Sequence, residues 1–484
     1  MDNHPTSSLS AGVARRIINA RPGSPKFGLR LFGEPIQGYE SDLTATALVL
    51  ANSQTRLAII ALDLIVFFNP LSDQVRQEVA DRLGIPRSHV LINISHDHST
   101  PVQLSYRATT PESQRFAAIY EQELRQRILE AVDEAAENLQ PVRVGAGKGE
   151  AKIGIYRRET GPDGRDVLGE VPERDIDHGV GVVRIDDLEG QPVAVLFSYG
   201  CHPVAVGPRC FLGSSDFPGA AREMVEWVMG GTAMFLQGCG GNVNPKWGIG
   251  YEVDCRYPKD RLGMLLAGEV LKVVAEIHTH VCLGERVPLG NIPNILFHPW
   301  VPVDDNRPVP LAAAEEIVKL HFVALPPLEE AQVLYDRWAE QKREKIASGA
   351  QDWEIRLAAE YEQAYRRTLD AIQDGDPTID LDVQVLRIGD VIIAGMNVEA
   401  FTETGLKIKA RSPFKNTLPL GWTNTNIAYL PRKEDYPAGG FKLGEVYHVP
   451  DLLVQAYQLP TALQPEAEQI AVDKVIELIE RLAS

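Results

Sequence analysis

Residues 57–101 read LAIIALDLIVFFNPLSDQVRQEVADRLGIPRSHVLINISHDHSTP. An apolar run, 57–68, opens the stretch. Leu71, Val75, Val79 and Leu83 then recur four apart, and a second apolar run covers 90–94. That order predicts a strand, a helix over 71–83 and another strand. Upstream, the apolar run 44–51 and the polar turn Asn52-Ser53-Gln54-Thr55 make a hairpin with the first strand. The plan recurs twice. A second unit has strands 180–185 and 193–199 around the turn 186–190, a helix over 218–228 and a closing strand 233–236. A third has strands 381–388 and 391–395, a helix over 400–410 and a closing strand 416–420. Alternating hairpins and helices predict an α/β fold with mixed, partly antiparallel sheets flanked by helices, built from repeated hairpin-helix-strand units.

Composition narrows the class. The 484 residues are 44% hydrophobic and 24% charged, which excludes a disordered or fibrous chain. Lys and Arg number 48 against 66 Asp and Glu, a net charge of −18 that argues against nucleic acid or an anionic membrane as partner. Five cysteines are too few for a disulfide scaffold, and the odd count suits a reducing compartment. The apolar stretch 57–68 contains Asp63 and is well short of the roughly 20 residues a spanning helix needs. No basic start followed by an apolar run opens the chain, and no long exposed apolar stretch is apparent. A cytoplasmic protein with no membrane contact is expected. The segment 311–378, rich in Glu, Gln, Lys, Arg and Ala, reads as a helical insertion. It separates a core at 28–310 from its C-terminal part at 379–484, with 1–27 as an N-terminal extension.

The polar residues that follow the strands carry the chemistry. Asp63, His202 and Glu399 end or follow the second strands. The closing strands run into Ser95-His96-Asp97-His98-Ser99, into Gly238-Cys239-Gly240-Gly241-Asn242-Val243-Asn244-Pro245, and into a loop from Gly421 to Tyr429. Such loops at one edge of an α/β sheet build sites. His96 and His98 lie two apart, so a continuing strand would point them to opposite faces. Two imidazoles and a carboxylate are the usual donors of a catalytic zinc. Glu399, at the end of an apolar strand, requires a partner if buried. Gln237, Asn242 and Asn244 sit on a Gly-rich loop that serves either as an oxyanion hole or as a tight turn. Cys239 lacks a neighbouring histidine and reads as a structural thiol, and His278 and His280 as an ordinary helix-to-strand junction.

The string Ser95-His96-Asp97-His98-Ser99 resembles the His-x-His-Ser motif of the neutral, non-lysosomal ceramidase family. The segment around His202, Gly213-Ser214-Ser215-Asp216, Gly241-Asn242-Val243-Asn244-Pro245, Gly395-Met396-Asn397-Val398-Glu399 and Gly421 to Tyr429 are similar to later motifs of that family, in the same order. The resemblance spans about residues 28–440 and implies a zinc amidase. It assigns one catalytic Zn2+ to His96, His202, Glu399 and Tyr429, and makes His98 a residue that orients a ligand or holds substrate. Arg158 looks like the family's arginine near the site, facing an anion or oxyanion, or is a surface arginine. Asp63 either holds a ligand histidine or satisfies local backbone donors; Asp216 belongs to the surrounding shell.

Departures shape the expectation. Asn244 stands where the family has a serine, and an amide cannot become a nucleophile at neutral pH. Neither the family's secretion signal nor its C-terminal β-domain is expected here, and with no long exposed apolar stretch to dock on a membrane, ceramide itself is not the expected substrate. The function expected is hydrolysis of an amide or ester bond in a small soluble substrate by metal-activated water. His98 would shuttle the proton, and Asn244 and Arg158 would assist. The alternatives are a metal-dependent lyase or isomerase acting on a sugar-like or hydroxy-acid substrate, and an inactive binding protein of the same fold. A homo-oligomer is compatible with all three.

Overall fold

The computed structural model describes residues 9–27, 35–101, 111–162, 164, 166–250, 256–303, 308–375, 377–437, 441, 443, 453–454 and 457–483. All three repeated units are present. In the first, Thr44–Asn52 pairs antiparallel with Arg56–Leu62, helix Leu71–Leu83 crosses over, and Val90–Ile94 returns parallel to Arg56–Leu62. Gly179–Asp187, Pro192–Tyr199, helix Asp216–Met229 and Thr232–Gln237 repeat the arrangement. So do Thr378–Ile388, Val391–Met396, helix Thr402–Arg411 and Asn416–Leu420. A parallel return needs a crossover of a dozen or so residues, and the helix supplies it.

The first two units share one eight-stranded sheet. Its order is Thr232–Gln237, Pro192–Tyr199, Gly179–Asp187, Gln140–Glu150, Leu9–Ile17, Thr44–Asn52, Arg56–Leu62 and Val90–Ile94. The third unit forms a four-stranded sheet with Leu311–His321 at its edge. The sheets pack face to face. Leu48, Ile59, Leu91, Leu196 and Met234 of one meet Leu386, Ile393 and Leu420 of the other in a single apolar cluster. The period of two sends alternate residues outward. Val49, Ile60 and Ile92 pack under helices Leu71–Leu83 and Pro111–Glu137, while Val182, Phe197 and Phe235 pack under Asp216–Met229 and Arg256–Glu276. Helix Ala467–Ala483 covers the outer face of the smaller sheet. The result is four layers, helix–sheet–sheet–helix.

Three features differ from the sequence reading. Residues 9–17 belong to the core, because Leu9–Ile17 is an internal strand pairing with Thr44–Asn52 throughout. Its Arg15 and Arg16 mask the alternation by carrying charges that pair with Glu226 and Glu134. The helical insertion starts later than residue 311. Leu311–His321 pairs along its length with Thr378–Ile388, and only Leu328–Ser348 and Asp352–Asp374 are helical. Ala and Glu have helical propensity, but sheet pairing overrides it. Those two helices are zipped by Trp338 stacked on Tyr361, ring centroids 4.2 Å apart. Finally, an exposed apolar stretch does exist. The paired short strands between Val281 and Pro302 leave Leu283, Leu289, Ile295, Phe297 and Trp300 open to solvent. Prolines and polar residues break the run, so no periodicity betrays it. Among the described residues no helix is long and apolar enough to cross a membrane.

Candidate metal centre

The C-terminal ends of the parallel strand pairs converge. Asn93 bridges Thr423, and Gly238 bridges Leu420, so the closing strands of all three units meet. Their loops are then laced together. The His202 amide donates to Val243 O (3.0 Å), the Gly241 amide to Ala400 O (2.9 Å), and the Glu399 amide to Ala428 O (2.8 Å). Gly241 is required at this crossing, since a Cβ there would sit 2.6 Å from Glu399 O. Glu399 pairs in parallel with Tyr429, which brings both side chains to one edge.

His96 follows strand Val90–Ile94 by two residues and has φ +59°, a left-handed conformation uncommon outside glycine. This turn, not a continuing strand, allows both His96 and His98 to face one point, with their Nε2 atoms 3.3 Å apart. His96 lies flat on the buried Trp422 indole at 4.7 Å between centroids. Its Nδ1–H donates to Ile65 O (2.6 Å), and His202 Nδ1–H donates to Gly240 O (2.9 Å). A carbonyl only accepts, so both rings carry their proton on Nδ1 and present a bare Nε2.

Those lone pairs aim at a third. Glu399 Oε2 lies 3.3 Å from His202 Nε2 and 3.6 Å from His96 Nε2, is buried, and has no hydrogen-bond partner. Its Oε1 accepts from the Tyr457 hydroxyl, which in turn accepts from Asn426 Nδ2 (2.9 Å). Burial holds all three imidazoles below the usual histidine range, so protonation does not supply the missing charge. Arg157 Nη2 lies 3.0 Å from His202 Nε2 and the His98 ring 3.3 Å from His96 Nε2, but Glu399 Oε2 has no donor, which would cost several kcal/mol if left so. The donor set and its burial fit a divalent cation. His96, His98 and His202 offer nitrogens within 4.8 Å of one another.

Arg157 closes one side. Its Nη1 donates to Asn244 Oδ1 (3.0 Å). Its Nη2 lies 2.8 Å from Gly241 O, 3.0 Å from His202 Nε2 and 3.1 Å from the Tyr429 hydroxyl. Nη2 has two hydrogens for three acceptors, so His202 need not be one of them. Burial, then the charge of Glu399, pushes the Tyr429 phenol above its ordinary value. Arg158, on the next residue, stands over the Tyr429 ring at 5.4 Å.

The structure thus gathers His96, His98, His202 and Glu399 around one point, with Tyr429 and Asn244 joined to it through Arg157 and Arg158 over the Tyr429 ring. Other expected residues lie outside it. Asp63 grips Arg222 through both oxygens (2.9 and 2.6 Å) and accepts from the Thr44 amide and hydroxyl; it touches no histidine. Asn242 caps helix Thr402–Arg411 through Oδ1 and donates to Glu403, so both ends of its amide are turned to that helix. Gln237 Nε2 is bonded to Cys201 O beneath the loop. Asp216 accepts from the amides of Val206 and Phe217, and burial raises its pKa to about 6. Cys239 is buried, and burial pushes its thiol far up. Arg157, Trp422 and Tyr457 went unflagged. An Arg-Arg pair does not say which member faces inward, and Tyr457 lies in an apolar stretch with no motif around it.

No family model matches the sequence. Among solved structures, the chain is similar to neutral ceramidase from Pseudomonas aeruginosa at TM-score 0.61 and 16% identity, over 98% of this chain and 75% of that one. A ceramidase complexed with C2 gives TM-score 0.62 and 17% identity, over 98% and 76%. Over nearly its whole length, the chain has the fold of the neutral ceramidases.

Proposed function

We propose that this chain is a zinc-dependent hydrolase that cleaves an amide or ester bond of a small molecule. One observation carries the reading: Glu399 Oε2 is buried, lacks a hydrogen-bond donor, and faces the bare Nε2 atoms of His96 and His202. The ceramidase fold of the chain supports it.

His96, His202 and Glu399 would hold the ion, with Tyr429 completing the set. A zinc ion there supplies Lewis-acid polarisation of a carbonyl and lowers the pKa of water. The chain's own residues do the rest. Tyr457 and Asn426 fix the Glu399 carboxylate so that only Oε2 points inward. Trp422 holds the His96 ring plane and excludes water behind it. Asn244 cannot attack, because its Oδ1 is tied to Arg157 and its nitrogen is an amide; it is left to donate to a developing oxyanion. The His98 imidazole, neutral and with Nδ1 unpartnered, is placed to take the proton of the attacking water and return it to the leaving group.

Metal analysis tests the site. The wild-type chain should carry one equivalent of zinc, and the His96→Ala and His202→Ala proteins should carry almost none after dialysis. Full occupancy in either variant would overturn the assignment. Replacing Cys239 separates this chemistry from a thiol mechanism. The Cys239→Ala protein should keep its turnover within about threefold, whereas loss of a nucleophile costs three or more powers of ten.

A further inference from the structure

We infer that Arg158 recognises a carboxylate carried by the substrate a few bonds from the amide or ester that is cut. This assignment rests on the hydrolase reading above and names the substrate class, N-acyl amino acids being its simplest members.

The observation is a charged fork with nothing in it. Arg158 Nε and Nη2 are both buried and neither has a hydrogen-bond partner. Those two nitrogens lie on the same edge of the guanidinium, so their N–H bonds run parallel, the geometry that grips a carboxylate with two hydrogen bonds. A buried cation without a counter-ion is unfavourable enough that folded proteins rarely keep one without use.

The neighbouring acids are otherwise engaged. Glu399 gives Oε1 to Tyr457 and turns Oε2 to the histidines. Glu403 is occupied by Arg432 (2.7 Å) and by the Asn242 amide. Asp166, opposite Thr160 on the facing strand Asp166–Leu168, has an interaction of its own and acts on Arg158 through its charge. Arg157 is consumed by Asn244 and Gly241 and adds a second positive charge. In a chain of net charge −18, the buried Arg157 and the half-buried Arg158 beside one glutamate mark a local attraction for an anion.

Position links the fork to the chemistry. Arg158 covers the Tyr429 ring, and the Tyr429 hydroxyl lies beside Arg157, which lies beside His202. A carboxylate in the fork is therefore linked to the histidine cluster through Tyr429 and Arg157, on the side of the centre that these two residues close.

The test uses the zinc-loaded chain with a panel of N-acetyl amino acids and the same compounds as carboxamides. Binding is read by calorimetry and hydrolysis by the amine released. Each acid should bind at least about 30-fold more tightly than its amide. Arg158→Met should erase that difference while leaving the binding of the amides unchanged, and Arg158→Lys should restore only part of it. The unliganded Arg158→Met protein should melt no lower than wild type, because it loses an unpaired buried charge. Equal binding of acid and amide to wild type, or acid binding unchanged in Arg158→Met, or no binding of any acid overturns the assignment. Arg158-dependent acid binding in a chain that neither holds zinc nor hydrolyses any of the panel would instead sink the hydrolase reading and leave this one standing.

Discussion

The Glu399→Gln protein is expected to bind zinc at least about a hundredfold more weakly than wild type and to lose about a thousandfold in kcat/KM. The introduced amide is nearly the same size, so the change tests charge and proton placement alone. The wild-type carboxylate turns a buried, partnerless Oε2 toward two bare imidazole nitrogens. That arrangement is unfavourable without a cation and favourable with one. Two melting curves should therefore move oppositely. Without metal, the variant should melt at or above wild type, because an amide N–H can donate to a histidine Nε2. With excess zinc, wild type should gain a few degrees by preferential binding to the folded state, and the variant should gain nothing. A variant that keeps the zinc-dependent shift would show that Oε2 is not a ligand.

The Asp63→Ala protein should lose about 3–5 kcal/mol of stability, read as a lower urea midpoint, yet its folded fraction should turn over substrate within a few-fold of wild type. Asp63 is only 1% exposed and its partner Arg222 only 4%. Both guanidinium bonds and both Thr44 bonds end on this one carboxylate. Removing it strands a buried cation and two buried donors, which is among the most damaging changes available. Activity lost in proportion beyond the unfolded fraction would instead place Asp63 in the chemistry.

Much of this architecture was legible in the chain. Runs of apolar residues with period two, and a four-residue spacing between them, located the hairpins and crossover helices. Helix Leu71–Leu83 and strands Val90–Ile94 and Asn416–Leu420 fall where that spacing put them. The pattern succeeds because each of these elements buries one face against a layer, and burial writes itself into sequence. It failed at residues 9–17, where arginines paired with glutamates of two covering helices interrupt the alternation, and at residues 311–321, where alanine and glutamate occupy an edge strand. That helix Ala467–Ala483 closes the outer face of the smaller sheet is likewise not written in any local pattern.

The site divides in the same way. Residue types and their position after strands singled out His96, His202 and Glu399 because a polar side chain at the end of a buried strand has little reason to be there except a partner. Alternation, however, separated His96 from His98, and a single left-handed φ brings them together. Asp63, Asn242 and Gln237 had the same outward marks as the ligands, yet each is spent on a local bond.

The sequence by itself determined the layers, the three units and the polar loops, since these depend on hydrophobic period and turn chemistry within a few dozen residues. Only tertiary structure decided which of two adjacent arginines holds the loops and which keeps an empty fork, and that Tyr457 reaches back 58 positions to Glu399. Those choices depend on which hydrogen-bonding atoms remain unmatched once distant segments have packed, a quantity that no local pattern encodes.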